Sequence, residues 1–355
     1  MSALHGESNA ANFPPVRHVV VVLVDGLGAT LLRARAGHVR ALATALGSAS
    51  TIDAGFPSTT ASALTTLTTG TTPGVHGIVG YRARDDAGRI TNQLRGWDHV
   101  MAPSTWQRSQ TIFEKASKEG IRVAGVVDPA YRNSGFSQAV LRGAHLVGAR
   151  TMDERCDAAI NLSRQPGPGL TYLYVSELDQ AGHRYGSESD AWIAALEALE
   201  AMVVRLVRGV PADCGVVVSA DHGMVDISPD RHVLYDTASQ LVEDVQAVGG
   251  EPRFLHLYTS PERDPGAVAA RWRESEDDRA WVATRDEAFA AGWFGPEIDP
   301  VVVPRIGDVL VAARKRVAYY DSRDASMAGR EMVGQHGSLT PEETRVPLLR
   351  FSAFG

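Results

Sequence analysis

Unbroken apolar runs are the clearest pattern in the first two thirds of the chain. The run Val19–Val24 is rich in β-branched residues and contains no polar side chain, which is typical of a strand buried on both faces of a parallel sheet. Similar runs predict further buried strands at Ile121–Val127, Leu170–Val175 and Val216–Ser219. Between them, apolar residues at three- and four-residue spacings predict helices, such as Thr111–Glu119 and Ala191–Val207. This alternation predicts an α/β fold with a mostly parallel central sheet flanked by helices.

The region from 229 to 329 has a different composition, with more charge, more proline and shorter apolar runs. Helical spacing recurs there at Ala267–Glu274 and Glu287–Ala291. The strand candidates in it are Phe254–Tyr258, Val301–Val303, Val309–Ala312 and Val317–Tyr320. A strand-like pattern returns at Thr344–Phe351. We therefore interpret residues 16–228 and 330–355 as one core and residues 229–329 as a smaller inserted cap subdomain, which has an ordinary size for such a unit.

Polar residues follow the predicted strands at the points where those strands end. Ligands of parallel α/β sheets bind at the carboxyl ends of the strands, so we expect these side chains to meet at one edge. A mixed set of carboxylates and imidazoles suits zinc, with Mn²⁺ or Fe as alternatives, and its size fits two ions better than one. The candidate metal ligands are Asp25, Asp179, His183, Asp221, His222 and His336.

A fifth polar element is the run Pro57-Ser58-Thr59-Thr60, which looks like the entrance to a helix over Ala61–Thr69. Taken alone, such hydroxyls predict nothing more than N-capping. A helix N-terminus also favours an anion, because its N–H groups and dipole point at the ligand. Beside a metal site, a hydroxyl at this position becomes a candidate nucleophile.

These elements together resemble the alkaline phosphatase superfamily, and within it most closely the type I phosphodiesterase/nucleotide pyrophosphatase family. They follow the family's order and span most of the chain, so the set is far more specific than any one of its members. The matching motifs are Val24-Asp25-Gly26, Pro57-Ser58-Thr59-Thr60, Thr69-Gly70, Pro73-Gly74-Val75-His76-Gly77-Ile78, Asp179 with Gly182-His183, Asp221-His222-Gly223 and Gly334-Gln335-His336-Gly337.

The resemblance implies a metal-dependent hydrolase of phosphodiester or nucleotide pyrophosphate bonds that carries two zinc ions and forms a phospho-threonine intermediate. Its ligands for one ion are Asp179, His183 and His336. Its ligands for the other ion are Asp25, Asp221 and His222, joined by the nucleophile Thr60. Thr59 is the alternative nucleophile, because the threonine run is degenerate. The resemblance also implies that His76 has a structural role.

One departure from the family pattern concerns substrate specificity. The resemblance implies an Asn that binds a phosphoryl oxygen three residues after the nucleophile, where this chain has Ala63. The family's Phe-Pro pair is replaced by Ala61-Ser62. Nucleotide specificity is therefore open, and a phosphomonoesterase or phosphonate hydrolase on the same site is the alternative. The absence of an Arg that sequence position alone identifies as a phosphate clamp favours a diester.

Charge and composition narrow the partners. Lys and Arg total 35 against 42 Asp and Glu, for a net charge of −7, so the sequence lacks the basic footprint of a nucleic-acid or membrane-surface protein. Divalent ions could still attract a phosphate ester to an acidic chain. Gly26-Leu27-Gly28 lacks the third glycine of a dinucleotide-binding fingerprint. A small-molecule phosphate ester or nucleotide is thus the expected substrate, with no nucleic acid duplex and no membrane as partner.

Cysteine content and the first residues bear on the compartment. Cys156 and Cys214 cannot form a disulfide framework. Met1–Pro15 lacks the basic and then apolar order of a signal peptide. We therefore expect a cytoplasmic protein.

Overall fold

The computed structural model describes residues 1–47, 50–324 and 329–355. The strands are β1 (His18–Val24), β2 (Thr51–Asp53), β3 (Arg82–Arg84), β4 (Ile90–Asn92), β5 (Arg122–Val127), β6 (His145–Gly148), β7 (Gly169–Val175), β8 (Cys214–Ala220), β9 (Val225–Asp226), β10 (His232–Leu234), β11 (Val245–Glu251), β12 (Phe254–Thr259), β13 (Ala280–Thr284), β14 (Val309–Ala313), β15 (Ala318–Tyr320), β16 (Gly334–Gln335) and β17 (Arg345–Ser352). The helices are α1 (Ser2–His5), α2 (Ala29–Ala34), α3 (Arg40–Ala45), α4 (Thr60–Thr69), α5 (Pro73–His76), α6 (Pro103–Trp106), α7 (Ile112–Lys118), α8 (Gly135–Val140), α9 (Met152–Ser163), α10 (Glu177–Tyr185), α11 (Asp190–Gly209), α12 (Ser239–Val242), α13 (Pro265–Glu276), α14 (Arg285–Ala290) and α15 (Pro341–Thr344).

A seven-stranded sheet forms the centre of the molecule, in the order β2-β17-β8-β1-β7-β5-β6. The five strands from β8 to β6 are mutually parallel, and β17 and β2 extend the sheet in antiparallel fashion. The four apolar runs that predicted buried strands lie in β1, β5, β7 and β8. The predicted α/β fold with a mostly parallel central sheet is therefore confirmed.

Helices cover both faces of this sheet. Leu196 and Leu199 of α11 pack with the β1 side chains of Val20, Val22 and Val24 on one face. On the other face, α4, α7 and α8 pack with Val19 and Leu23 of β1, through the side chains Ala61, Leu64, Phe113, Ala116, Phe136, Ala139 and Val140. Strand β1 is therefore covered on both faces, and Asp25 follows it directly at the carboxyl end of the strand.

Residues 229–329 build a second, antiparallel sheet in the order β11-β12-β14-β13, which packs on α13 through Trp272 and Val268. None of the described strands between 229 and 329 belongs to the central sheet. The boundaries of the cap at 229 and 329 stay a prediction, and residues 325–328 of that segment lie outside the described part of the chain.

One strand prediction in this segment is wrong. Val301–Val303 does not form a strand; it is a turn that leads into a 3₁₀ helix at Val303–Arg305. The Asp299 carboxylate accepts a hydrogen bond from the Val301 N–H at 3.0 Å, and the prolines at 300 and 304 cannot donate to a ladder. Strands β11 and β13 were not anticipated; β11 includes the pair Gly249-Gly250, which interrupts its apolar pattern, and β13 has only five residues.

No helix within the described ranges combines the length and the apolar character that a bilayer crossing requires.

Candidate active site

The register of the central sheet brings the predicted polar residues to one edge. Val24, the last residue of β1, pairs with Val175 on one side and with Ala220 on the other. Asp25 and Asp221 directly follow two of these three strands, and α10 begins just after the third. Asp179 and His183 lie one turn apart on α10, with 3.3 Å between Asp179 Oδ1 and His183 Nε2.

A first group at this edge consists of Asp179, His183 and His336, whose ligand atoms lie within 4.8 Å of one another. His183 donates from Nδ1 to the Gly334 carbonyl at 2.7 Å, and His336 donates from Nδ1 to the Ser58 carbonyl at 2.8 Å. These bonds leave the Nε2 lone pair of each ring free and facing Asp179. A second partner that fixes the ring and its tautomer is the usual environment of metal-binding histidines.

A second group surrounds His222. Its Nδ1 lies 3.0 Å from the Gly223 carbonyl, so Nε2 is the free nitrogen here as well. Nε2 lies 3.2 Å from Asp25 Oδ1, 3.6 Å from Asp221 Oδ2 and 3.1 Å from the Thr60 hydroxyl. Three oxygen atoms therefore converge on one imidazole nitrogen, and carboxylates and imidazoles are groups that bind zinc.

The two groups touch. Asp179 lies within ligand distance of Asp25 and His222 as well as of its own group. The rings of His222 and His336 are stacked, with centroids 3.5 Å apart and an interplanar angle of 11°. The two groups of candidate donors are therefore adjacent, and Asp179 lies close to the members of both.

The carboxylates of Asp25 and Asp221 are buried, that of Asp179 is half-buried, and all three are incompletely satisfied. Asp25 Oδ1, Asp179 Oδ1 and Asp221 Oδ2 have no hydrogen-bond partner in the described part of the chain. Burial and the charge of Asp25 raise the pKa values of Asp179 and Asp221 well above the usual carboxyl range. Buried acidic oxygens of this kind need a compensating cation, so the residues present fit divalent metal ions.

The three imidazoles respond to burial and charge in opposite ways. Burial alone would lower the pKa of His222, but the neighbouring carboxylates of Asp221 and Asp25 raise it to about 10. Burial and the neighbouring His222 hold the pKa of His336 well below its usual value, and burial also lowers the pKa of His183. The first group therefore presents neutral rings, which is the form that binds a metal.

The Thr59-Thr60 pair divides between two environments. Thr60 is the first residue of α4, and its hydroxyl faces His222. Thr59 is the N-cap but makes no side-chain cap; it lies beside Glu251 instead. The first-turn N–H groups of α4 are therefore uncapped by a side chain, beside the metal-binding residues.

Two other sequence positions have structural surroundings. Ala63 is buried in α4 and does not line the cavity at the site. His76 is fully buried, accepts from the Ile78 N–H at Nδ1 and shares a 3.0 Å hydrogen bond with Thr66 at Nε2. Its two nitrogens are thus both engaged away from the candidate ligands.

A cavity of about 1530 Å³ opens over the site, between the core and the 229–329 segment. Several of its lining residues were missed from the sequence, because only the fold brings them together. Tyr174 donates a hydrogen bond to Asp25, an interaction that the β7 pattern of alternating sides could have suggested. The missed polar lining residues include Arg82, Arg95, Arg184, Glu251, Arg323 and Arg330.

Comparison with known proteins identifies the family. The family model of type I phosphodiesterase / nucleotide pyrophosphatase matches residues 19–339. The chain belongs to that family. The match includes every candidate ligand and both threonines.

The curated relatives are distant and much longer. The chain is 25% identical over 180 residues to venom phosphodiesterase CdcPDE of Crotalus durissus collilineatus, a match that covers 47% of this chain and 21% of that protein. It is 22% identical over 207 residues to human ectonucleotide pyrophosphatase/phosphodiesterase family member 1, covering 56% of this chain and 22% of the relative. The chain thus spans about a fifth of the length of the curated relatives that it matches.

Solved structures share the fold over nearly the whole chain. Murine ectonucleotide pyrophosphatase/phosphodiesterase 5 superposes with a TM-score of 0.73 at 16% identity, over 94% of this chain and 87% of that one. Phosphonoacetate hydrolase from Sinorhizobium meliloti 1021, solved with phosphonoacetate, gives a TM-score of 0.72 at 20% identity, over 95% and 91% of the two chains.

Proposed function

We propose that the protein is a metal-dependent phosphodiesterase or nucleotide pyrophosphatase that works through a phospho-threonine on Thr60. The observation that carries this proposal is the position of the Thr60 hydroxyl, 3.1 Å from His222 Nε2, at an uncapped helix start and beside buried carboxylate oxygens without partners. Family membership supports the reaction class.

The residues divide into two ligand sets. Asp179, His183 and His336 would hold one ion. Asp25, Asp221 and His222, together with Thr60, would hold the other. Two zinc ions, with Mn²⁺ or Fe as alternatives, would lower the pKa of the Thr60 hydroxyl and neutralise charge on the phosphoryl group.

The chain's own groups then account for the displacement. Thr60 Oγ loses its proton to solvent and attacks phosphorus, the bond from phosphorus to the leaving oxygen breaks, and the leaving group takes a proton from water. The phosphoryl group, which in a diester keeps its second organic substituent, becomes attached to Thr60. Water then hydrolyses this ester and returns the free hydroxyl. The first-turn N–H groups of α4 bind non-bridging phosphoryl oxygens, because a helix start favours an anion. Each ligand imidazole is held in place by its Nδ1 bond to a backbone carbonyl.

The cavity favours a small substrate with an organic group on phosphorus. One wall of the cavity is apolar and includes Leu94, Tyr131, Phe136 and Tyr172. Arginines at positions 82, 95, 184, 323 and 330 line other parts of the same space and offset its acidic residues. We therefore propose a small-molecule phosphate ester or nucleotide as substrate. The cytoplasmic location stays a prediction.

The test compares Thr60→Ala with the matched variant Thr59→Ala. Zinc-loaded protein is assayed on bis-p-nitrophenyl phosphate, p-nitrophenyl phosphate and a p-nitrophenyl phosphonate. We expect the diester to react fastest, Thr60→Ala to lower kcat by at least about 10³-fold, and Thr59→Ala to retain turnover. Mass spectrometry of wild type, acid-quenched during turnover of the diester, should locate a p-nitrophenyl phosphoryl group on Thr60.

Two outcomes contradict the proposal at different levels. Full activity of Thr60→Ala together with an inactive Thr59→Ala would transfer the nucleophile to Thr59. Absence of turnover on all three substrates by zinc-, manganese- and iron-loaded wild type would reject the reaction class.

A further inference from the structure

Five arginines among the described residues line the cavity over the site, and they differ in whether their charges are compensated. Arg323 pairs with Asp321, at 2.8 Å from Nε and 2.7 Å from Nη2. Two others are exposed to solvent. Arg82 and Arg330 are half-buried and donate to backbone carbonyls, but neither forms an ion pair with a described residue. A guanidinium that has lost part of its water and has no counter-charge is a candidate binding group for an anion.

Of these two arginines, Arg82 has fully described surroundings, because Arg330 follows residues 325–328, which lie outside the described part of the chain. The Nε of Arg82 donates to the Gly250 carbonyl at 3.2 Å. Its two Nη groups have no hydrogen-bond partner among the described residues, and neither is a buried atom. The Nη edge of this side chain is therefore fixed in direction and open to the cavity that Arg82 lines.

Two glycines of β11 hold this side chain in place. Gly250 has a φ of +80°, and a Cβ there would lie 1.9 Å from the Phe254 carbonyl oxygen, so the turn that presents the Gly250 carbonyl requires glycine. A Cβ at Gly249 would lie 2.8 Å from the Arg82 carbonyl oxygen. The close approach of β11 to β3 thus orients Arg82 before a ligand arrives, which lowers the entropy lost on binding.

Contacts link Arg82 to the proposed nucleophile. The neighbouring Tyr81 N–H donates to Glu251 Oε2 at 3.1 Å, and Glu251 lies beside Thr59, the residue that precedes Thr60. Burial raises the pKa of Glu251 to about 8, and the charge of Arg82 acts in the opposite direction. The guanidinium therefore lies near the Glu251 carboxyl, although it does not pair with it. One intervening residue, Glu251, thus connects Arg82 with the Thr59-Thr60 pair.

We propose that Arg82 binds a second anionic group of the substrate, which is a carboxylate or a further phosphate on the organic part of the phosphate ester. Its Nη1 and Nη2 atoms present parallel N–H donors that match two oxygens of such a group. The cavity of about 1530 Å³ exceeds the roughly 300–1,000 Å³ of common ligand pockets, so it has room for the reacting phosphoryl group and for a charged substituent. The position of the first anionic group rests on the proposed function, in which metal ions bind the phosphoryl group.

The test is the binding of phosphonates to zinc-loaded protein, measured by calorimetry, because these compounds contain no ester and bind without turnover. Each probe carries a phosphonate at one end of a chain of two to five methylene groups. The other end is a methyl group, a carboxylate or a second phosphonate. In wild type, the best of the doubly anionic probes should bind about 10- to 100-fold more tightly than the methyl-ended probe of the same length. The carboxylate and diphosphonate series show which oxyanion Arg82 prefers.

Variants of Arg82 locate the source of this gain in affinity. Arg82→Met should abolish the gain, while the Kd of the methyl-ended probe stays within about three-fold of wild type. Arg82→Lys keeps the charge but not the paired donors, and should keep only part of the gain. Arg82→Gln replaces Arg82→Met if the latter does not fold. Zinc content should be the same in all variants.

A matched control is Arg323→Met. It removes the same charge from the same cavity, but the guanidinium of Arg323 is already paired with Asp321. This variant should keep most of the gain in affinity that a second anionic group provides.

A wild type that gains no affinity from a second anionic group, at any chain length, would overturn the inference. So would an unchanged gain in Arg82→Met, or an equal loss in Arg323→Met, which would show a general effect of cavity charge. Weaker binding of the methyl-ended probe to Arg82→Met would also overturn it, because Arg82 would then contact the first anionic group. If the probes behave as expected but no ester is hydrolysed, the proposed function fails and the binding role of Arg82 remains.

Discussion

Two groups of charged residues inside the protein differ in whether their charges have partners. In the first, Arg253 and Glu343 form a closed ion pair between the 229–329 segment and the core. The side chain of Arg253 also donates to the Val317 carbonyl at 2.6 Å, and Glu343 accepts from the Ser338 N–H at 3.0 Å. Every charge in this pair has a partner of opposite charge and further hydrogen bonds.

The second group is the cluster of Asp25, Asp179 and Asp221. Asp25 and Asp221 are buried to a similar degree and Asp179 is half-buried, but each carboxylate keeps an oxygen without a partner among the described residues. Both arrangements place charge in a low-dielectric interior, which is costly unless the charge is compensated. Burial alone therefore does not indicate a ligand site, whereas burial together with unsatisfied donors or acceptors does.

The largest loss of stability should come from removing one partner of the Arg253–Glu343 ion pair. Arg253→Met leaves Glu343 buried without its cation and should lower the free energy of unfolding by about 3–5 kcal/mol. The double variant Arg253→Met/Glu343→Leu should recover a large part of that loss, since it removes both charges. Urea unfolding of both variants measures this. A double variant as unstable as the single one would mean that packing, not charge, dominates.

The next largest change in the free energy of unfolding should come from zinc binding at the cluster of Asp25, Asp179 and Asp221. Each site should stabilise the fold by about 2.7 kcal/mol when free zinc is 100 times its Kd. His336→Ala should lose about half of the zinc-dependent gain in unfolding free energy and one equivalent of bound zinc by elemental analysis. The exposed His99 serves as the control position in a His99→Ala variant. Unchanged zinc stoichiometry in His336→Ala would remove His336 from the ligand set.

Without metal, the unpaired carboxylates of Asp25, Asp179 and Asp221 should destabilise the protein. Because the folded-state pKa of Asp179 is raised, the metal-free protein loses stability as pH rises from the unfolded pKa through the folded one. Asp179→Asn should therefore stabilise the protein in chelator at pH 7, by about 1–2 kcal/mol, and should reduce the stabilisation by zinc. Thermal unfolding with zinc and with chelator gives both signs. A variant that is less stable in chelator would contradict the assignment.

Much of the core was predictable, because its signals are local. The run Val19–Val24 is apolar throughout, and a strand covered on both faces needs that composition. Asp25 and Asp221 could be placed at the same edge, because strand ends of a parallel sheet align. Asp179 and His183 could be placed together, because four residues make one helical turn.

The second region was less predictable, because its signals are tertiary. Val301 looks like a strand residue, but Asp299 and the flanking prolines turn the backbone there. Glu251 looks like a turn residue, and its place beside Thr59 depends on how β11 packs against the core. No local pattern encodes such a contact between residues that lie 192 positions apart.

The smallest expected effect compares one buried histidine from each region. Burial lowers the pKa values of His76 in the core and of His256 in the 229–329 segment to about 3. A histidine whose folded-state pKa is depressed binds its proton more readily in the unfolded chain. It therefore lowers stability as pH falls below its unfolded pKa, by about 1 kcal/mol between pH 7 and pH 5.5 for each residue.

The two histidines differ in how many of their ring nitrogens have a hydrogen-bond partner. His76 has a partner for each nitrogen, whereas His256 accepts from the Gly307 N–H and its Nε2 has no partner among the residues that the structure describes. His76→Gln and His256→Gln should each reduce the acid-dependent loss in chelator, measured by urea unfolding at the two pH values. At pH 7, His76→Gln should be the more destabilising, because it disturbs two hydrogen bonds rather than one. If His256→Gln were the more destabilising variant, the number of hydrogen bonds that a buried histidine makes would not predict its contribution to stability.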